Sequence, residues 1–186
     1  MNETNPQHWL DDSEELFSAA EINAAVEKIA REITHALADS KPLVLCVMNG
    51  ATVFAGKLLP LLDFPLEFDS VRATRYRNTT TGGEILWKTF PETDMRDRTV
   101  LLLDDILDQG HTLAAISQKC REAGASRILI AVLTEKETGH PKPARADFIG
   151  LPAPNRYIFG CGMDIHGWWR NLAEIRVMKD KLTPGE

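Results

Sequence analysis

The 186-residue chain has no long apolar run, no excess of positive charge and only three cysteines. No run approaches the roughly 20 apolar residues that a membrane helix needs, which excludes a helical span and predicts no membrane partner. Lys and Arg number 21 against 27 Asp and Glu, a net charge of −6. Nonspecific nucleic-acid binding needs a basic face, so this balance argues against a nucleic-acid partner. Cys46, Cys120 and Cys161 are widely spaced, odd in number and form no C-x-x-C pair. They are expected to be small buried residues in a reducing cytoplasm, not bridges or metal ligands. The first twelve residues are polar and acidic and match no signal or transit peptide. What is present is a 44% hydrophobic content, enough for a full core, and a length that suits a single domain over 1–186.

The chain is organised around residues 100–113. Val100-Leu101-Leu102-Leu103 ends abruptly in Asp104-Asp105, and Ile106-Leu107-Asp108-Gln109-Gly110-His111-Thr112 follows. A short continuous apolar run suits a strand buried on both faces. Leu113, Ile116 and Cys120 then recur at helical spacing. The acidic pair therefore falls at the carboxyl end of a parallel strand, where open α/β sheets bind ligands. Gly110 permits a positive φ that lets amides converge, and Thr112 can cap the helix. Turn and helix terminus together make a phosphate cradle. The carboxylates would repel phosphate, so they are expected to face hydroxyls or a magnesium ion on the same ligand. A sugar phosphate offers both groups.

Elsewhere, Ser18-x-x-Glu21 is a capping box. Ile22, Val26, Ile29, Ile33 and Leu37 behind it predict an amphipathic helix over 19–38, with His35 at its surface. Residues 43–48 form a second continuous apolar strand, ending in Asn49-Gly50-Ala51-Thr52. A helix reaching about residue 62 follows, disturbed at Pro60; this unit offers a second anion site. Residues 66–76 and 85–90 are expected to be paired strands. The polar, glycine-rich 78–83 joins them as a hairpin turn or a mobile lid. Gly124 is placed to end the helix after Thr112. Residues 128–133 predict a buried strand with Lys136 in the charged loop beyond it, and Pro141-Lys142-Pro143 a stiff connector. Strands are expected at 148–151, within 155–164 and at 175–178.

The run 102–112 resembles the phosphoribosyl-pyrophosphate (PRPP) motif of type I phosphoribosyltransferases. That pattern is an aliphatic strand, two acidic residues, two aliphatics, Asp, usually Thr, then Gly, any residue and Thr. Gln109 departs where Thr is commoner. A receiver-type domain also ends a strand in paired aspartates, but lacks the Asp-x-Gly-x-Thr continuation. The resemblance implies an α/β fold with a mostly parallel central sheet flanked by helices. It also implies a small hood built from the N-terminal segment and about 150–186. Asp104, Asp105, Asp108, Gln109, Gly110, His111 and Thr112 would hold the ribose phosphate of PRPP, with Mg2+ as cofactor.

From about residue 43 to 178 the order of landmarks is similar to that of hypoxanthine-guanine phosphoribosyltransferases. Met48, Asn49 and Gly50 fall on the pyrophosphate loop, whose Met48–Asn49 peptide is expected to be cis, and Arg170 on a pyrophosphate-binding arginine. Arg75 and Tyr76 open the catalytic lid, which runs through residue 84. Lys136 falls on the lysine that reads the purine 6-oxo group, Tyr157 on the aromatic that stacks on the base, and Ile158 on the residue whose backbone reads the base edge. Asp164 falls near the purine 2-position and a second magnesium, so Asp104, Asp105 and Asp164 are the expected metal set. Asn49 replaces the usual loop lysine and Arg75 a serine; Arg75 and Arg77 are candidates to restore the charge. The implied reaction is attack of N9 of hypoxanthine or guanine on C1′ of PRPP, with Asp108 as general base at N7. The products are IMP or GMP and pyrophosphate. A homodimer or homotetramer is expected. The alternatives are a xanthine-guanine phosphoribosyltransferase and an RNA-binding regulator of the same fold; the acidic balance and the presence of Asp108 weigh against the second.

Overall fold

The structure is a computed structural model that describes residues 5–75 and 85–179. In chain order its elements begin with helix α1 (Gln7–Asp11), strand β1 (Ser13–Phe17), helix α2 (Ala19–Leu37) and strand β2 (Leu43–Val47). Helix α3 (Thr52–Leu58) runs into a 3-10 turn (Leu59–Leu61), followed by strands β3 (Glu67–Arg75), β4 (Ile85–Thr89) and β5 (Thr99–Leu107). Helix α4 (His111–Glu122) and strands β6 (Arg127–Lys136), β7 (Phe148–Ala153), β8 (Ile158–Phe159) and β9 (Ile175–Met178) complete it.

Continuous apolar strands need cover on both faces, and the helices supply it. Val44, Cys46, Leu101, Leu103, Ala131 and Leu133 pack on one face with α2 and α3. Leu43, Leu45, Val100, Leu102, Ile130 and Val132 pack on the other with Leu113, Ile116 and Cys120 of α4. Each large aliphatic side chain buried in this way contributes about 1.5–3 kcal/mol. Helix α2 starts at the expected capping box: the Glu21 amide donates to the Ser18 hydroxyl, and the Ser18 amide donates to the Glu21 carboxylate. His35 is exposed and all three cysteines are buried and unpaired.

The main sheet has the order β4-β3-β2-β5-β6-β7. Only β4 is antiparallel to its neighbour; the other pairings are parallel. From β2 the chain winds through α3 to β3. From β5 it winds through α4, on the opposite face, to β6. The winding reverses between β2 and β5, and the crevice beyond their carboxyl ends is the place for a ligand. A smaller antiparallel sheet, β1-β9-β8, forms the hood.

Several local expectations are corrected. Helix α1 and strand β1 precede Ser18, where the sequence predicts no element; β1 is ordered by pairing with β9, from Ser13 against Met178 to Phe17 against Ile175. Helix α3 stops at Leu58, where Pro60 tightens the next turn to a 3-10 helix. Lys136 is not in a loop but ends β6, because β7 pairs alongside it through Ala153. Thr112 does not cap α4: the N-cap is Gly110, at φ 79°, with no side-chain bond. No helix among the described residues is long and apolar enough to cross a membrane.

Candidate active site

Strand β5 outruns its neighbour. Its last partner in β2 is Leu103, against Cys46, whereas pairing with β6 continues to Leu107 against Glu135. Asp104 and Asp105 thus sit inside β5, but where β2 has already turned away, and they face the switch point. Each is 8% exposed. The Asp105 amide donates to the Asp104 carboxylate at 3.0 Å, and buried Thr134 donates to the Asp105 carbonyl at 2.9 Å. Burial, and then the charge of Asp105, pushes the Asp104 carboxyl well above the ordinary range. Burial also raises Asp105, with the positive charge of Arg170 pulling the other way. Beneath them the Cys46 thiol is pushed up to about 12 by burial and by the two aspartates, which leaves it an inert core residue.

The loop after β2 lies on the acidic pair. The Met48–Asn49 peptide is cis, as expected. Thr52 donates through its hydroxyl to the Asn49 carbonyl at 2.7 Å, and the Asn49 side chain is exposed. A Cβ on Gly50 would collide with the Asp105 carboxylate, and one on Gly162 with the Gly50 carbonyl. Strand end, loop and hood are therefore stacked at van der Waals contact, a layering that only glycines permit. The hood continues it: Arg170 donates to the Gly162 carbonyl at 2.7 Å and pairs with Asp164. Asp164 also accepts from the Gly167 amide at 2.7 Å, and its carbonyl accepts from the Tyr157 hydroxyl at 3.2 Å. Tyr157 packs against the small hood cluster of Phe159, Ile165 and Met178. Ile158 commits its side chain to the main core and pairs with Val177 of β9.

On the other side of the pair, Asp108 leaves the end of β5 and forms an ion pair with Lys136 at 3.2 Å. Gln109 is exposed, Gly110 turns the chain, and His111 and Thr112 open α4. The first amides of that helix have no side-chain cap and suit an anion. A groove of about 840 Å³ opens beyond β6, lined by Lys136, Lys142, Arg145 and Pro152 among others.

The structure thus gathers Asp104, Asp105, Met48, Asn49, Gly50, Arg170 and Asp164 into one layered region, with Asp108 and Lys136 as a pair at the next strand end. Tyr76 and the rest of the expected lid lie outside the described residues, as does the side chain of Arg75. Two adjacent carboxylates, both pushed up chiefly by burial, are a fitting seat for a divalent cation. Among the described residues no three His, Cys, Asp or Glu side chains converge on one point. That donor set fits Mg2+, which takes one or two carboxylates and completes its shell with water and substrate oxygens. Asp164 does not join the pair; its carboxylate is held by Arg170. Thr134, Lys142 and Gly162 also lie at the site, and the sequence does not mark them as site residues. The Gly-x-Gly at 160–162 was the one local signal for Gly162.

The model of the phosphoribosyl transferase domain family matches residues 12–165. The hypoxanthine-guanine-xanthine phosphoribosyltransferase of Tritrichomonas foetus is 30% identical over 175 residues, covering 93% of this chain and 96% of that protein. The hypoxanthine-guanine phosphoribosyltransferase of Bacillus subtilis (strain 168) is 33% identical over 165 residues, covering 88% and 92%. A solved structure of a hypoxanthine-guanine-xanthine phosphoribosyltransferase matches with a TM-score of 0.77 at 29% identity, covering 92% of this chain and 98% of that one. The family match runs from the start of the hood through the acidic strand end and back to the hood loop, so the chain belongs to the phosphoribosyl transferase domain family.

Proposed function

We propose that this protein is a purine salvage enzyme that transfers the 5-phosphoribosyl group of PRPP to N9 of hypoxanthine or guanine, giving IMP or GMP and pyrophosphate. The observation that carries the reading is the Asp108–Lys136 pair at the end of the β5–β6 ladder. A 6-oxopurine presents the acceptor O6 beside N7. A lysine ammonium only donates, and an ionised carboxylate only accepts. Lys136 meets O6, and Asp108 meets the N7–H of the attacking tautomer. The N9 lone pair bonds to C1′, the C1′–pyrophosphate bond breaks, and the N7 proton passes to Asp108. Adenine offers a donor at position 6 and leaves two donors facing each other. Backbone carbonyls at Ile158 and Asp164 favour the 2-amino group of guanine, and Tyr157 supplies the stacking face.

Asp104 and Asp105 hold the ribose hydroxyls and the turn at 108–112 the 5-phosphate, while Met48, Asn49, Gly50 and Arg170 face the leaving pyrophosphate. The same aspartates would hold Mg2+, which when bound offsets the charge gathering on pyrophosphate. Arg75 and Tyr76 begin a lid that keeps water from the oxocarbenium-like centre. Three buried free thiols fit a cytoplasmic protein. A homodimer or homotetramer is the assembly that the family resemblance implies.

The test is pyrophosphate release from PRPP and Mg2+ with each of four bases. Hypoxanthine and guanine should be good substrates and adenine negligible; no turnover with either oxo base would end this reading. A second reading adds xanthine, favoured by the name of the Tritrichomonas foetus relative. Efficient use of xanthine in the same assay would select it.

A further inference from the structure

Lys142 lies on a segment with no assigned role, yet its ammonium is fully engaged. It donates to the Leu107 carbonyl at 3.1 Å, to the Lys136 carbonyl at 2.6 Å and to the Glu135 carboxylate at 3.0 Å. An ammonium has three donors, so all are used, and the side chain is 11% exposed. Two of the acceptors are main-chain groups at the ends of two different strands. Leu107 and Glu135 form the last rung of the β5–β6 ladder. Asp108 and Lys136 are the next residue on each strand, beyond the final backbone rung. With no further ladder bonds, the relative position of these two residues would drift with the twist of the strand ends. Lys142 closes that gap from outside, as a side-chain rung between the carbonyls of Leu107 and Lys136. Pro141 and Pro143 flank it and restrict its backbone, so the rung is presented with little entropy left to lose. The same segment supports the phosphate turn: a Cβ on Gly110 would lie 3.3 Å from the Lys142 Cβ and 3.3 Å from the Ala144 amide nitrogen.

We propose that Lys142 is a positioning residue that sets the Asp108–Lys136 separation and through it the recognition of the base. The inference rests on the purine reading above. It does not require Lys142 to touch substrate. The phosphate turn has its own anchor in α4, where the Ala114 amide bonds the Gly110 carbonyl at 3.0 Å. Base recognition should therefore suffer more than PRPP binding when Lys142 is lost.

The experiment is steady-state kinetics on the full chain with PRPP, Mg2+ and hypoxanthine, comparing wild type, Lys142→Met and the double variant Lys142→Met/Glu135→Gln, with thermal unfolding of each. Methionine keeps the stem that supports Gly110 and removes the three donors. Lys142→Met should raise the KM for hypoxanthine about tenfold, the scale of a lost charge-assisted bond, lower kcat, and leave the KM for PRPP within about twofold of wild type. The double variant should behave like the single one, because the carbonyl rung is missing from both. An unchanged hypoxanthine KM would overturn the inference. So would a kcat loss matching the unfolded fraction with both KM values intact, since that is a purely structural effect. Recovery of the base KM in the double variant would also overturn it, by tracing the defect to the unpaired Glu135 charge. Wild-type protein inactive on every base would instead bring down the purine reading, and this inference with it.

Discussion

Asp108 and Lys136 neutralise each other across 3.2 Å, so under the proposed reading a base that enters must replace each partner with one of its own edge groups. Asp108→Asn keeps the shape and removes the basicity. It should lower kcat by about 10²–10⁴-fold with little change in PRPP binding; steady-state kinetics checks this, and unchanged turnover would remove Asp108 from the proton-transfer role. Lys136→Met should weaken both oxo bases, because it deletes the proposed donor to O6 while keeping an apolar stem. Full activity of that variant on hypoxanthine would show that the base is read elsewhere. Asp104 makes a prediction about stability. Burial and the neighbouring charge raise its folded-state pKa, so the native state holds a proton that the unfolded chain releases. Its stabilising contribution is complete below the ordinary carboxylate value of about 4 and is lost as pH rises through the raised one. Asp104→Asn mimics the protonated form at every pH. In ligand-free protein the variant should match wild type below about pH 4 and become the more stable of the two as pH rises toward neutrality. Thermal unfolding across a pH series reads the gap, and a gap that ignores pH would contradict the assignment.

At the scale of elements, α2 carries much of the packing on one face of the sheet, and its start depends on Ser18. Ser18→Ala removes the acceptor for the Glu21 amide and should lower Tm by about 2–4 °C with no change in kinetics; an unchanged Tm would mean that packing alone holds the helix end. Such elements are legible because their signals are local: a capping box, an apolar stripe at helical period, or a strand buried on both faces. The acidic pair and the glycine turn were legible for the same reason, since one contiguous run carries them. What was not legible depends on distant partners. Strand β1 has little apolar alternation and exists through its pairing with β9, where Arg176 also donates to the Ser13 hydroxyl at 2.8 Å. Lys136 ends a strand only because Ala153 pairs with it. Nothing near Asp164 in the sequence announces that Arg170 will hold its carboxylate. Thr134 reads as one polar residue in a buried strand until its bond to the Asp105 carbonyl is seen. Gly110 took the cap expected of Thr112 because α4 already starts at His111, which puts Thr112 inside the helix.

For the whole molecule, the main sheet and the hood are two separate hydrogen-bonded layers, and the site is where they touch. The contact is close because it is made by glycines: Gly162 of the hood rests on the Gly50 carbonyl, and Gly50 rests on the Asp105 carboxylate. Arg170 grips the Gly162 carbonyl and places its charge near Asp105. The hood is thus a surface that fixes the height of the loop at 48–50, the proposed pyrophosphate loop, over the acidic pair. Gly162→Ala tests this. Its φ of 101° is strained for any side chain, at about 1–3 kcal/mol, and the new Cβ meets a carbonyl that no rotamer change can move. The hood must lift, carrying Arg170 with it and loosening the loop at 48–50. Gly56→Ala is the matched control: it lies in α3 with nothing within 4 Å of the added Cβ, where alanine favours the helix and should raise Tm slightly. We expect Gly162→Ala to lose Tm and to raise the KM for PRPP or the Kd for pyrophosphate at least about tenfold, the scale set by 1.4 kcal/mol, while Gly56→Ala binds both normally. If Gly162→Ala lowers Tm but binds pyrophosphate as wild type does, the hood contact is a matter of stability alone, and the loop over Asp105 is held from below by Thr52 and β2.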